Sequence, residues 1–323
     1  MAGRQLKDIM RAFRTRDEVT FRRAALELID EQEARHHFAL ARDMRALLAS
    51  GGGPADTVAR VELPEPPKAS DGSWDLIDVQ EPELALDDLV LDPAIAALFA
   101  DVVAEARGAE ALEAAGVPPR RRLLFTGPAG TGKTSAAEAL ARELSWPIGR
   151  VSVESVVSSY LGETASNLRR VFEFAASNRV VLVFDEFDAL GRMRDDSTEH
   201  GEIKRVVSSF LQFLEKHRGP SLIVAITNYP GLLDFALWRR FDEVAKFDLP
   251  SVHQLRQLLR KRSRSMKPRV FDVEASASAL RGLPQAAAER FVTDLRRKQV
   301  LSTDPVSPEV VTEVLRGIRE RPW

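Results

Sequence analysis

The chain has 323 residues, which suggests about two or three domains and is long enough to bury a core without disulfide or metal staples. Its 46 Lys and Arg against 48 Asp and Glu leave a formal net charge of −2, which disfavours a nucleic-acid binder as a whole-chain reading. It has no cysteine, which excludes a disulfide scaffold, a thiol nucleophile and any Cys-ligated zinc or iron–sulfur site.

Charges interrupt residues 1–18 every few positions, so no apolar signal-peptide core is present. No stretch approaches the roughly 18 apolar residues of a spanning helix, so a soluble cytoplasmic protein with no membrane partner is expected. Residues 1–50 read as a small helical bundle. Thr15 and Glu18 form a T-x-x-E capping box. Leu6, Ile9, Met10 and Phe13 make one apolar stripe; Phe21, Ala25, Leu28 and Ile29 a second; Ala34, Phe38, Ala41, Met44 and Leu48 a third. The intervening charges are of both signs, as on a solvated face. Gly51 to Gly53 end this unit, and Pro54, Pro64, Pro66 and Pro67 mark a linker over 51–73.

From Trp74 the character changes, and Leu84, Leu86, Leu89, Val90 and Leu91 lead into a helix near 92–105. Strands are expected at 122–127, 147–153, 180–185, 222–227 and 244–249. Helices alternate with them, from Thr134 onward and near 163–177, 201–216 and 231–238. Strands this apolar, alternating with helices, predict an α/β core over 74–249 with a five-stranded parallel sheet covered on both faces. Beyond Pro250 only helical patterns remain, near 251–265, 274–282, 285–302 and 307–320, which makes 250–323 a C-terminal helical domain.

Two motifs carry chemistry by themselves. Gly127, Pro128, Ala129, Gly130, Thr131, Gly132, Lys133 and Thr134 match G-x-x-x-x-G-K-[ST], after an apolar strand and before the Ala-rich helix that Ser135 enters. Such a loop turns backbone N–H groups inward to cradle phosphates at the positive end of a helix. Lys133 is expected to reach the β and γ phosphates of ATP, and the Thr134 hydroxyl to ligate Mg²⁺. The apolar run Val180 to Phe184 ends in Asp185 and Glu186. Beside the phosphate loop, Asp185 would complete the Mg²⁺ shell and Glu186 would polarise a water for attack on the γ-phosphate. Two solvated acids at a strand end are the plainer alternative, and Asp188 has no obvious role beyond structure.

With these motifs in place, the chain over about 86–315 resembles the AAA branch of the AAA+ ATPases, and within it bacterial stand-alone members with one ring module and a short helical N-terminal region. Asn228, ending the strand Leu222 to Thr227, is similar to the sensor that positions the attacking water. Arg239 and Arg240, within Leu233 to Asp242, resemble the paired fingers that reach a neighbouring subunit's γ-phosphate. Tyr160, Leu161 and Gly162 resemble the loop that grips polypeptide in the central pore, and 192–201 could supply a second loop. Gln285 and Ala286 stand where narrow-sense AAA proteins usually carry Gly-Ala, which leaves nucleotide contacts by the lid open; Arg290 lies one turn further on. The resemblance implies a homo-oligomer, a hexamer in that family, that threads protein clients and so acts as an unfoldase. An ATP-dependent switch that regulates or loads a partner enzyme, a peptidase or nucleic-acid machinery, without threading is the alternative. A protease fused to the ring is disfavoured, because H-E-x-x-H is absent and the five histidines are scattered; a partner peptidase in trans stays open.

Overall fold

The computed structural model describes residues 63–70, 72, 74–151, 156, 163–188, 200–233, 235–266, 269–302 and 306–323, and Ala24. The chain divides into two units, Met1–Glu62 and Leu63–Trp323. The expected N-terminal bundle and most of the linker lie outside the described residues.

The described unit opens with β1 (Ile77–Gln80), α1 (Pro93–Arg107) and α2 (Ala109–Ala114). It continues through β2 (Arg122–Thr126), α3 (Lys133–Leu144), β3 (Ile148–Val151), α4 (Glu163–Ser177) and β4 (Val181–Phe184). There follow α5 (His200–Lys216), β5 (Leu222–Thr227), α6 (Phe235–Trp238) and β6 (Glu243–Lys246). The last four helices are α7 (Val252–Arg262), α8 (Val273–Ala279), α9 (Gln285–Leu301) and α10 (Pro308–Glu320).

The strands form one sheet in the order β1-β3-β4-β5-β2-β6. The five expected strands run parallel within it. A sixth, β1, adds itself antiparallel to β3, with Ile77 opposite Val151. The expected helix at 231–238 is split into a 3-10 turn, Pro230–Leu232, and the four-residue α6.

Alternation along the strands sorts the core into two layers, since successive side chains leave opposite faces of a sheet. Leu124, Leu182, Phe184, Ile223 and Ala225 face α4 and α5, where Leu168, Phe172, Phe210 and Leu214 meet them. Leu123, Phe125, Val181, Val183 and Val224 face the other way, toward Phe99 and Val102 of α1 and Ala136 and Leu140 of α3. Each such Leu or Phe stabilises the fold by about 1.5–3 kcal/mol. Helices α7 to α10 close a third core around Leu255, Leu259, Phe291 and Leu295, which Val90 enters from the chain before α1. The capping box of α7 is present, with the Ser251 hydroxyl accepting from the Gln254 N–H. Among the described residues no helix is long and apolar enough to cross a membrane.

Candidate active site

The carboxyl ends of the parallel strands are where an open α/β sheet offers a crevice. Here β2, β4 and β5 deliver three loops to one place. The loop after β2 begins at Gly127, at φ 138. A Cβ there would come within 2.0 Å of the Phe247 carbonyl oxygen, so no side chain fits. Gly130 (φ 71) and Gly132 (φ 87) take the left-handed backbone that glycine tolerates best. The Thr131 hydroxyl donates to Pro128 O at 2.9 Å and closes the turn.

Lys133 opens α3 and is only 5% exposed. Its Nζ donates to Gly127 O at 2.8 Å and Pro128 O at 2.7 Å. Burial lowers its pKa from the usual 10.5 to about 8, against the pull of the Asp185 and Asp188 carboxylates. Beside it, the Thr134 hydroxyl donates to Asp185 Oδ2 at 2.8 Å, which joins the start of α3 to the end of β4. The Glu186 N–H donates to Asp185 Oδ1 at 2.9 Å, and Glu186 itself is at φ 51, rare for a residue with a side chain.

These groups share a cleft of about 350 Å³ between the sheet and the start of α9. Ala129, Gly130, Gly132, Lys133, Thr134, Ser135, Asp185, Glu186 and Asn228 all line it. Gly127, Pro128 and Thr131 do not; they build the loop behind it. Leu89, Ile226, Gln285, Ala286 and Glu289 line it as well. The Gln285 Nε2 donates to Val90 O at 3.1 Å, and the Ala286 N–H donates to Gly130 O at 3.0 Å. The first turn of α9 is thus docked on the phosphate loop.

Arg239 and Arg240 do not line this cleft. Arg239 is exposed, and Arg240 is half-buried with its guanidinium paired to Glu215 of α5. Arg290 also stands away from the cleft, bonded to Asp294 at 2.8 Å. Tyr160, Leu161 and Gly162 lie outside the described residues, as does most of 192–201.

The donor set fits a hard, oxygen-seeking cation. Thr134 and Asp185 offer one hydroxyl and one carboxylate, and among the described residues no cluster of three or more His, Cys, Asp or Glu could cage a metal. Mg²⁺ suits such a sparse site, because it keeps waters and takes its remaining ligands from substrate phosphates.

A family model described as "ATPase family associated with various cellular activities (AAA)" matches residues 123–249. The chain is 39% identical over 309 residues to an "Uncharacterized AAA family ATPase y4kL" of Sinorhizobium fredii, covering 94% of this chain and 92% of that protein. It is 32% identical over 224 residues to a proteasome-activating nucleotidase of Pyrococcus horikoshii, covering 65% of this chain and 56% of that one. A cell division cycle protein 48 homolog of Archaeoglobus fulgidus is 30% identical over 221 residues, which are 65% of this chain and 30% of the homolog.

Proposed function

The chain belongs to the AAA family of ATPases and hydrolyses ATP, and we propose that it does so as a ring of identical subunits that remodels or unfolds protein clients. One observation carries the hydrolysis site: the Thr134–Asp185 hydrogen bond sets the phosphate loop against the strand-end carboxylates, with Glu186 and Asn228 in the same cleft.

The roles follow from the chemistry of each group. Backbone N–H groups from Gly130 to Ser135 hold the phosphates at the start of α3. Lys133 exchanges the carbonyls of Gly127 and Pro128 for phosphate oxygens. Thr134 and Asp185 would hold Mg²⁺, which when bound would neutralise negative charge on the phosphates. The Glu186 carboxylate accepts a hydrogen bond from water and aims its lone pair at the γ-phosphorus, while the Asn228 amide orients the same water. Arg239 and Arg240, away from their own cleft, serve a neighbouring subunit's γ-phosphate, for which an always-charged, fork-shaped donor is suited. In this scheme 1–50 grips clients or adaptors, 51–73 tethers it, 74–249 is the ATPase core and 250–323 its lid. Tyr160, Leu161 and Gly162 contact the threaded polypeptide, in the cytoplasm.

Similarity to a proteasome-activating nucleotidase supports protein clients, and it also favours a second reading, in which the ring acts on a partner peptidase as an ATP-dependent switch. Glu186→Gln and Tyr160→Ala separate the possibilities. Glu186→Gln should bind ATP normally and lose turnover by about 100-fold or more; normal turnover overturns the site. Tyr160→Ala should keep ATPase activity and lose unfolding of a tagged client. If unfolding survives, threading is wrong and the switch stands.

A further inference from the structure

Asp188 takes no part in the scheme above and does not line the cleft, yet it is only 4% exposed. A buried carboxylate is costly unless donors meet it, so its partners show what it holds. Its Oδ1 accepts from the Thr227 hydroxyl at 3.1 Å and from the Asn228 N–H at 3.3 Å. Thr227 is fully buried, and its own Oγ1 accepts from the Tyr229 N–H at 3.0 Å. One oxygen thus ties the whole turn at the end of β5 to the end of β4.

The path of the chain between these strands gives the contact its purpose. Phe184 is the last residue of β4 in register with β5, opposite Ala225. Phe187 returns to β5 directly, its N–H donating to Ile226 O at 2.8 Å. Asp185 and Glu186 therefore bulge out of the ladder into the cleft, with Glu186 in the disfavoured left-handed conformation. A strained residue persists only where its surroundings over-determine it. Behind it, the Phe187 ring is buried and Asp188 is hydrogen-bonded to β5.

We infer that Asp188 is a positioning residue for ATP hydrolysis: its bonds to Thr227 and Asn228 close the Asp185–Glu186 bulge against β5 and fix the spacing between Glu186 and Asn228. The inference rests on the roles proposed for those two residues. Phosphoryl transfer depends on placement more than on covalent chemistry, so a small displacement of either group costs rate while leaving phosphate binding to α3 and its loop.

The test uses the full chain, with kcat from steady-state ATP hydrolysis and Kd from titration with a non-hydrolysable ATP analogue and Mg²⁺. Asp188→Ala should lower kcat by about 100-fold with Kd changed less than about threefold. Asp188→Asn keeps an acceptor oxygen and should recover most of the rate. Thr227→Val removes the hydroxyl at constant shape; it should lower kcat alone and be less than additive with Asp188→Ala, since both remove the Thr227–Asp188 hydrogen bond. A wild-type kcat in Asp188→Ala overturns the inference. So does a loss of kcat matched by an equal loss of affinity, or an Asn variant no better than Ala. Asn228→Ala is the control. If it hydrolyses at full rate, the role given to Asn228 falls and this inference with it; if it is impaired while Asp188→Ala is not, only the inference falls.

Discussion

Lys133 is held by two backbone carbonyls, with burial opposing its charge. Phosphate reverses that balance, because an adjacent anion favours the ammonium. With a free-state pKa of about 8, the lysine is already charged below that pH, and binding takes up no proton there. Above it, each free molecule must bind a proton as the nucleotide enters. Affinity for a non-hydrolysable ATP analogue should therefore fall by less than about twofold from pH 7.5 to 8, then more steeply toward a limiting slope of about tenfold per unit. Lys133→Arg, always charged, should flatten that limb whatever its absolute affinity. A flat profile to pH 9.5 in the unmodified chain would show that the lysine is not depressed. The same shift acts on stability with the opposite slope. Unfolded, the lysine keeps its proton to about 10.5, so between pH 8 and 10.5 the unfolded chain binds more protons and this group's contribution to stability rises with pH. Lys133, Thr134, Asp185 and Glu186 were legible in the sequence because a phosphate loop and an acidic strand end are local patterns, fixed by spacing. Gln285, Glu289 and Leu89 were not legible as cleft residues. They reach it through the docking of α9 on Gly130 and Val90, which is decided by packing across more than a hundred residues of chain.

At the level of elements, the aromatic cluster beneath the strand ends matters most. Phe210 of α5 lies 4.9 Å from Phe187, 5.1 Å from Phe184 and 5.6 Å from Phe172, ring centre to ring centre. It packs α4 and α5 onto the sheet and backs the residue that follows Glu186. Phe210→Ala removes a fully buried ring and should destabilise the chain by about 3–5 kcal/mol. In a calorimetric scan that corresponds to a fall in Tm of roughly 10 °C, with Phe210→Leu losing much less. A drop below about 3 °C for the Ala variant would mean that this cluster does not carry the α5–sheet interface. The fold itself was legible wherever apolar runs were long. The parallel strands and the helices between them stand where the patterns put them to within a few residues, except that the helix expected at 231–238 is split into a 3-10 turn and the four-residue α6. β1 was missed because Ile77–Gln80 is four residues long, half-polar and followed by Glu81 and Pro82. α2 buries no residue and so has no apolar stripe to read. The expected strand at 244–249 is β6, which starts one residue earlier and ends three earlier, with Phe247 still donating its N–H to Thr126 O at 2.7 Å.

On the scale of the whole molecule, the near-neutral charge and the missing cysteines fit chemistry done by Lys, Thr, Asp, Glu, Asn and Arg around Mg·ATP, with no dependence on redox state. What a single subunit does not supply is an arginine in its own cleft from the 239–240 pair. Arg240 is instead tied to Glu215, and its Nε is buried with no hydrogen-bond partner. If the pair acts across a head-to-tail interface, the defect of an arginine variant lies in the neighbour's site and can be complemented. Lys133→Ala removes the cleft but keeps the arginine; Arg240→Ala removes the arginine but keeps the cleft. Each alone should be nearly inactive. In a 1:1 mixture, about a quarter of head-to-tail interfaces combine an intact cleft with an intact arginine, so ATPase activity should return to roughly that share of the unmodified rate. Action within one subunit predicts none, because every subunit in the mixture carries one defect. A mixture that stays at the sum of its two inactive components would therefore confine Arg240 to its own chain and remove the strongest reason to place hydrolysis between subunits.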